Sequence, residues 1–270
     1  MLFLKEVRMK AQRHAEKTFP FNLPLFGPDF ELSFHAPVTL LVGENGSGKS
    51  TLLEGLAVAS ERVVTGAEEL ADDPSLPAAR LLASGLRLSW SRRTQRGFFL
   101  RAEDFFGYCR RLHYLQAHLR QEAEQLQQDY HRQGRSQFSL DLALGTIKGQ
   151  AARLRDEYQA LESRSHGESF LHFFSQRLIP EGLYLLDEPE TPLSPQNQLT
   201  FLAVLQAAVQ EGSQFIIATH SPILMAYPGA TIYDLDHSPP QKTEYEQLEH
   251  VRLMRSFLNN PDSYLRSLLR

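Results

Sequence analysis

Three unbroken apolar runs stand out along the chain, at Val38–Val42, 183–186 and 215–218, with 231–235 a weaker fourth. None alternates with polar residues. Each therefore predicts a strand covered on both faces, the pattern of a parallel sheet rather than a half-exposed antiparallel one. The segments between them carry helical signals. Residues 49 to about 64 read as one helix. Ser194 is placed as an N-cap, Pro195 at the first helical position and Gly212 just past the end of another. Strand, helix and strand in that order predict a parallel α/β sheet.

The middle of the chain follows a different pattern. Leu86–Trp90 and residues 98–100 flank a polar stretch, 91–97, and predict an antiparallel β hairpin. Leu112, Leu115, Leu119, Ala123, Leu126 and Tyr130 then recur at steps of three and four, as do Ala151, Leu154, Tyr158 and Leu161. That spacing predicts two helices, with Gly134, Gly145 and Gly149 between them. Residues from about 101 to 165 thus read as a helical lobe inserted into a single domain spanning 1–270. A helix of about 20 residues is only about 30 Å long, so this reading excludes a long coiled-coil arm. Residues 66–79, with Gly66, Asp72, Asp73, Pro74 and Pro77, predict a loop.

Composition narrows the class. Hydrophobic residues make up 42% of the 270, enough for a core, so disorder is excluded as a default. The net charge of -4 lacks the basic surplus usual in nucleic-acid binders. One local cluster runs against that balance. Arg87, Arg92, Arg93 and Arg96 lie around the expected hairpin, with Arg101, Arg110 and Arg111 behind and Trp90 and Phe98 beside them. It is the best local candidate for DNA, a partner the overall charge disfavours. The single cysteine, Cys109, permits no intramolecular disulfide, which fits a cytoplasmic protein. The charged start is no signal peptide, and the apolar runs are strand-sized, so no direct membrane insertion is expected.

The chemistry begins where the first apolar run ends. Gly43, Glu44, Asn45, Gly46, Ser47, Gly48, Lys49 and Ser50 match the pattern G-x-x-x-x-G-K-[ST], with Thr51 following. Glycines let successive backbone N–H groups turn inward toward phosphate oxygens, and the helix that follows points its positive end at the same place. Lys49 is placed to reach the β- and γ-phosphates, and Ser50 to ligate Mg2+. The 183–186 run ends in Asp187 and Glu188. In a P-loop enzyme the aspartate holds Mg2+ and the glutamate polarises a water for attack on the γ-phosphate. Glu190, after Pro189, reads as part of the turn. The ten histidines and the cysteine show no metal-ligand spacing.

At this point the residues resemble the ABC ATPases. Asp187-Glu188-Pro189 looks like that class's acidic motif, and residues 191–195 stand where its D-loop would be. The segment 216–221, ending in Thr219-His220-Ser221, looks like its last core strand and switch histidine. Ser165-His166-Gly167-Glu168 stands where the class carries its signature, with His166 in place of a glycine and Glu168 in place of a glutamine. The stretches GENGSGKSTLLE, GFFLRAEDFF, SHGESFL and IATHSPILMAYP are similar to those of stand-alone, soluble, bacterial-type ATPases. The resemblance covers roughly residues 38–236.

It implies a P-loop NTPase fold of ABC type, binding ATP with Mg2+, hydrolysing it through Glu188 with His220, and forming an ATP-dependent homodimer. In that dimer Ser165, Gly167 and Glu168 would face the ATP held by the other subunit. A transporter's nucleotide-binding subunit, or an interaction module that binds ATP with little hydrolysis, are the alternatives. The class also expects a glutamine after the strand 98–100. Here Arg101 or Glu103 stands there instead. An adenine-stacking aromatic is expected upstream of the P-loop, with Phe19 and Phe21 as candidates.

Overall fold

The computed structural model describes residues 2–10, 18–27, 29–64, 76–134, 136–162 and 165–269. Its centre is a seven-stranded sheet. Following β1 (Leu4–Met9) and β2 (Glu31–Ser33) come β3 (Val38–Val42), α1 (Lys49–Ala59), β4 (Val63–Val64) and α2 (Leu76–Gly85). After β5 (Leu86–Trp90), β6 (Phe98–Arg101) leads into the helices α3 (Ala102–Arg132), α4 (Gln137–Glu162) and α5 (His166–Arg177). The chain then alternates through β7 (Leu183–Asp187), α6 (Pro195–Gln210), β8 (Gln214–Ala218), α7 (Pro222–Met225) and β9 (Thr231–Asp234). It ends in β10 (Gln241–Thr243), α8 (Glu249–Asn259) and α9 (Pro261–Leu268).

The strand order is β10-β9-β3-β8-β7-β6-β4, parallel throughout except for β10 at one edge. Registers such as Leu40↔Ile217, Asp187↔Ala218 and Arg101↔Asp187 bring the carboxyl ends of β3, β8, β7 and β6 to one side. That side is where an open α/β sheet binds ligands. Period two distributes the side chains of each central strand. Leu40, Tyr184, Leu186, Phe215 and Ile217 enter the layer shared with α3, α5 and α6, in which Phe105, Phe170 and Phe201 lie. Leu41, Leu183, Leu185 and Ile216 enter the layer shared with α1 and the antiparallel sheet. Both faces of these strands are covered, which is why they read as unbroken apolar runs.

Four sequence expectations need correction. The two strands at 86–101 do not form a hairpin. β5 joins a separate antiparallel sheet, β2-β1-β5, while β6 is buried inside the parallel sheet between β4 and β7. Phe98, Phe99 and Leu100 are all buried, and a run apolar on both faces gains more in the two-sided layer than at a solvated hairpin. The backbone reflects this choice, since Leu183 N donates to Arg96 O at 3.0 Å where the β6–β7 ladder begins. The helix expected to reach residue 64 stops at Ala59, and Val63–Val64 is a short strand beside β6; β-branched pairs favour extended backbone. The lobe helices are longer than expected, α3 having 31 residues and α4 26. Gly145 and Gly149 lie within α4 rather than between helices, and only Gly134 marks the turn. The expected loop at 66–79 lies outside the described residues up to 75, and its last four residues belong to α2.

Candidate functional site

The loop from β3 to α1 is shaped by three glycines with positive φ, Gly43 (147°), Gly46 (88°) and Gly48 (98°). A β-carbon at Gly43 would meet Ser47 Oγ at 2.9 Å and Asp236 Oδ1 at 3.0 Å, so side chains are excluded there. Lys49 opens α1. Its Nζ donates to the carbonyls of Gly43 and Glu44 at 2.8 and 2.9 Å. The ammonium is thereby held at the mouth of the loop it belongs to. Burial pulls its pKa down, against Glu188, Asp236, Asp187 and Glu44, which push it up. This balance leaves a cation at the head of a glycine-shaped loop that leads into a helix N-terminus, a place that suits an anion.

Asp187 ends β7 and is 7% exposed. Its pKa is raised to about 7, first by burial and then by Glu188 and Glu54, while the Ser50 hydrogen bond and Arg101 act the other way. Its Oδ1 is buried without a hydrogen-bond partner. A buried carboxyl oxygen left unpaired beside a serine hydroxyl suits a hard cation that takes oxygen ligands. Ser50 and Asp187 thus fit Mg2+.

Glu188 follows with a left-handed backbone, φ 47°, uncommon for a residue with a side chain. Its N–H donates to Ala218 O at 2.9 Å, so the turn is pinned to the end of β8. His220, two residues beyond that point, brings Nε2 to 3.7 Å from Glu188 Oε1. Burial first, and then Lys49, lower the His220 pKa, which favours the neutral ring at pH 7. A cavity of about 490 Å³ opens over these groups, lined by Gly43, Glu44, Asn45, Glu188, His220 and Asp236 among others. The start of α8, Leu248 to His250, closes one side of it.

Ser165 caps α5. Its Oγ accepts from Glu168 N at 3.4 Å, and Ser165 N donates to Glu168 Oε2 at 2.9 Å, a reciprocal capping box. Gly167 lies against the segment after Glu188, where a β-carbon would sit 2.5 Å from Asn197 Nδ2. Within one chain this turn does not line the cavity over the P-loop. The structure therefore gathers Gly43, Lys49, Ser50, Asp187, Glu188 and His220 at one site, and holds Ser165, Gly167 and Glu168 apart from it. Thr51, in the first turn of α1, is partly buried.

Of the two residues at the expected glutamine position, Arg101 pairs in register with Asp187 and contacts Glu54 at 2.9 Å and Asp104 at 3.2 Å. The side chain of Glu103 is 79% exposed. Phe21 is buried in the core and has no free face for a base, whereas Phe19 is 53% exposed. The arginine cluster is also not the surface expected. Phe98 is in the core, edge-on to Tyr184 at 4.9 Å, Arg101 sits at the site, and Arg92 and Arg96 both face Glu181, at 2.8 and 3.7 Å. Phe98 therefore offers no stacking surface, while Arg87, Arg92, Arg93 and Arg96 remain exposed.

One residue at the site escaped the reading of the sequence, and another was assigned only to the turn. Asp236 accepts the Glu44 N–H through both oxygens, at 2.9 and 3.0 Å. It follows a strand adjacent to β3 at the ligand-binding edge, a placement that could have flagged it. Glu190 accepts from His220 N and Ser221 N at 2.6 and 3.1 Å. No spacing rule points to it. Among the described residues no helix is long and apolar enough to cross a membrane.

Residues 22–64 match a family model described as "AAA domain", and residues 89–226 match one described as "AAA domain, putative AbiEii toxin, Type IV TA system". The cobalt import ATP-binding protein CbiO of Salmonella typhimurium is 27% identical over 251 residues, 85% of this chain and 80% of that protein. A "Probable anion import ATP-binding protein" of Haloferax volcanii is 30% identical over 187 residues, 68% of this chain and 62% of that protein. Among solved structures, the SMC head domain from Thermotoga maritima aligns with a TM-score of 0.44 and 17% identity, covering 89% of this chain and 98% of that one. A nucleotide-free ATP-binding cassette from an ABC transporter aligns with a TM-score of 0.43 and 18% identity, covering 97% of each.

Proposed function

This chain belongs to the AAA-domain family matched over residues 89–226, as an ABC-type P-loop ATPase domain that binds ATP, and we propose that it hydrolyses ATP as a head-to-tail homodimer closed around two nucleotides. The observation that carries this reading is the meeting of Lys49, Asp187, Glu188 and His220 at the ends of three adjacent parallel strands, with Glu188 and His220 3.7 Å apart.

In this reading the loop 43–48 and Lys49 bind the β- and γ-phosphates, and Ser50 and Asp187 hold Mg2+. The metal, when bound, offsets phosphate charge and fixes the polyphosphate. Glu188 takes a proton from the attacking water as its oxygen adds to the γ-phosphorus and the bond to the bridging oxygen of ADP breaks. His220, neutral, donates a hydrogen bond to the γ-phosphate and aligns the water. Ser165, Gly167 and Glu168 stand at the N-terminus of α5, outside the lining of the chain's own cavity, and in this reading the positive end of that helix serves a second subunit's nucleotide. The domain is then one unit, with α3 and α4 as the lobe that carries the closing motion outward, working in the cytoplasm without membrane insertion.

The test is Glu188→Gln, which keeps the shape and removes the base. Turnover should fall by about a hundredfold or more while ATP binds, and ATP should trap a dimer in light scattering. A variant that stays monomeric at saturating ATP sinks the sandwich. A second reading, the nucleotide-binding subunit of an importer, is favoured by the likeness to the cobalt import ATP-binding protein. Co-purification with an integral membrane protein would select it.

A further inference from the structure

We propose that Glu190 is a positioning residue that holds His220 in place against Glu188. β7 and β8 run parallel and in register as far as Asp187↔Ala218. Beyond that pair the ladder stops, and the N–H groups of His220 and Ser221 need acceptors that no strand provides. Glu190 Oε1 accepts from both, at 2.6 and 3.1 Å, and shares the Ser221 N–H with Thr219 Oγ1 at 3.0 Å. A side chain from one strand's turn thus completes the pairing of its neighbour.

The turn that carries Glu190 is itself closed. Thr191 N donates to Glu188 O at 3.1 Å, and Leu193 N to Glu190 O at 2.8 Å. A second tether joins the same two segments, with Ser221 Oγ donating to Gln198 Oε1 at 2.5 Å and Gln198 Nε2 to Leu193 O at 3.1 Å. Glu188 and His220 therefore stand on two loops tied at three points, counting Glu188 N to Ala218 O. Their 3.7 Å separation is set by those ties and not by a direct bond. Glu190 Oε1 bonds the backbone of the His220 loop, so it acts through that loop. Burial raises its pKa while the backbone N–H groups lower it, in keeping with an acceptor enclosed by protein. What the position requires is an oxygen to accept two N–H groups, and a neutral amide oxygen meets that need.

The inference rests on the reading that His220 and Glu188 act together on ATP. Steady-state ATPase assays and ATP-binding calorimetry on the full chain test it with Glu190→Gln, Glu190→Met, His220→Ala and the double variant Glu190→Met/His220→Ala. Glu190→Gln should keep kcat within about threefold of the parent, because the acceptor survives. Glu190→Met, similar in length with no acceptor, should lower kcat by about tenfold or more with ATP affinity within about threefold. In the His220→Ala background the same change should cost less than about twofold, since positioning acts through the missing ring.

A full additional loss in that background overturns the inference, as does a Glu190→Met enzyme with the parent's kcat. If Glu190→Met does not fold, Glu190→Gln decides: a loss as large as that of His220→Ala, with unchanged circular dichroism, refutes the acceptor role. Failure of the underlying reading looks different. The parent would then lack turnover, or His220→Ala would equal it.

Discussion

Replacing Asp187 by Asn should stabilise the nucleotide-free protein while abolishing its Mg2+-dependent activity. The carboxyl is 7% exposed and its pKa is raised from 3.8 to about 7, with burial the largest cause. The folded chain therefore binds this proton more tightly than the unfolded chain does. Stability from this group is fully present below about pH 4, is lost as pH rises from about 4 to 7, and stays at its lowest above that. A shift of about 3 units, at 1.36 kcal/mol each, sets the penalty at about 4 kcal/mol as an upper bound. Asn carries no charge to desolvate and keeps one carbonyl oxygen toward Ser50, so about half that value is a reasonable gain at pH 8. For a chain of this size it corresponds to roughly 4–8 °C in Tm.

Thermal melts of both proteins in chelator at pH 5 and pH 8 read the effect, taken as variant minus wild type so that other carboxylates cancel. The gain at pH 5 should be less than half that at pH 8. Adding Mg2+ and ATP should then raise the wild-type Tm more than the variant's, because binding to the folded state stabilises it by mass action. Equal melting temperatures at pH 8, or an equal gain at both pH values, would refute the claim that Asp187 is a desolvated carboxyl waiting for a cation.

Two further predictions concern the cradle and the signature. Lys49→Ala removes the ammonium that Gly43 and Glu44 hold at the loop, and most ATP affinity should vanish in calorimetry; near-normal binding would sink the phosphate-site reading. Ser165→Arg places bulk at the cap of α5 but leaves the chain's own P-loop intact, so single-chain ATP binding should persist while turnover is lost. Mixed with Lys49→Ala protein it should regain turnover that neither variant shows alone, since one composite site is then intact; no recovery would argue for a site made within one chain.

How far the sequence could be read depended on whether a residue's partner is local. The buried strands β3, β7 and β8 announce themselves because both faces are covered, and the P-loop because its glycines and lysine act within eight consecutive residues. Ser194 was legible as a cap for the same reason, bonding the N–H three residues on. The hairpin failed because strand pairing is a non-local choice. Leu86–Trp90 and Phe98–Arg101 are both good strands, and nothing in seven intervening residues says that one pairs with β1 and the other with β7. Arg101, expected both in the arginine cluster and at the glutamine position, stands at the latter, and its carboxylate partner Glu54 lies 47 residues away.

Glu190 and Asp236 show the same limit at the site itself. Each contributes an acceptor to a backbone N–H that a different strand's loop presents, across 30 and 192 residues. Such groups carry no motif, because the need they meet is created only when parallel strands end side by side. Parallel strands have their ladders cut off together at the carboxyl edge, and the loops that leave it diverge with unpaired N–H groups. Some of those groups serve a ligand, and others, such as Glu44 N–H at Asp236, must be satisfied by protein if the loop is to stay put. A carboxylate reaching over from the neighbouring turn does the second task without closing the first. The strained φ of Glu188 belongs to this arrangement: the turn bends sharply so that its own side chain faces the cavity and the one two residues later faces His220. Rigidity at this edge is thus assembled from contacts distant in sequence around a short local motif, which is why the motif names the nucleotide while the geometry of its water-activating pair has to be read from the fold.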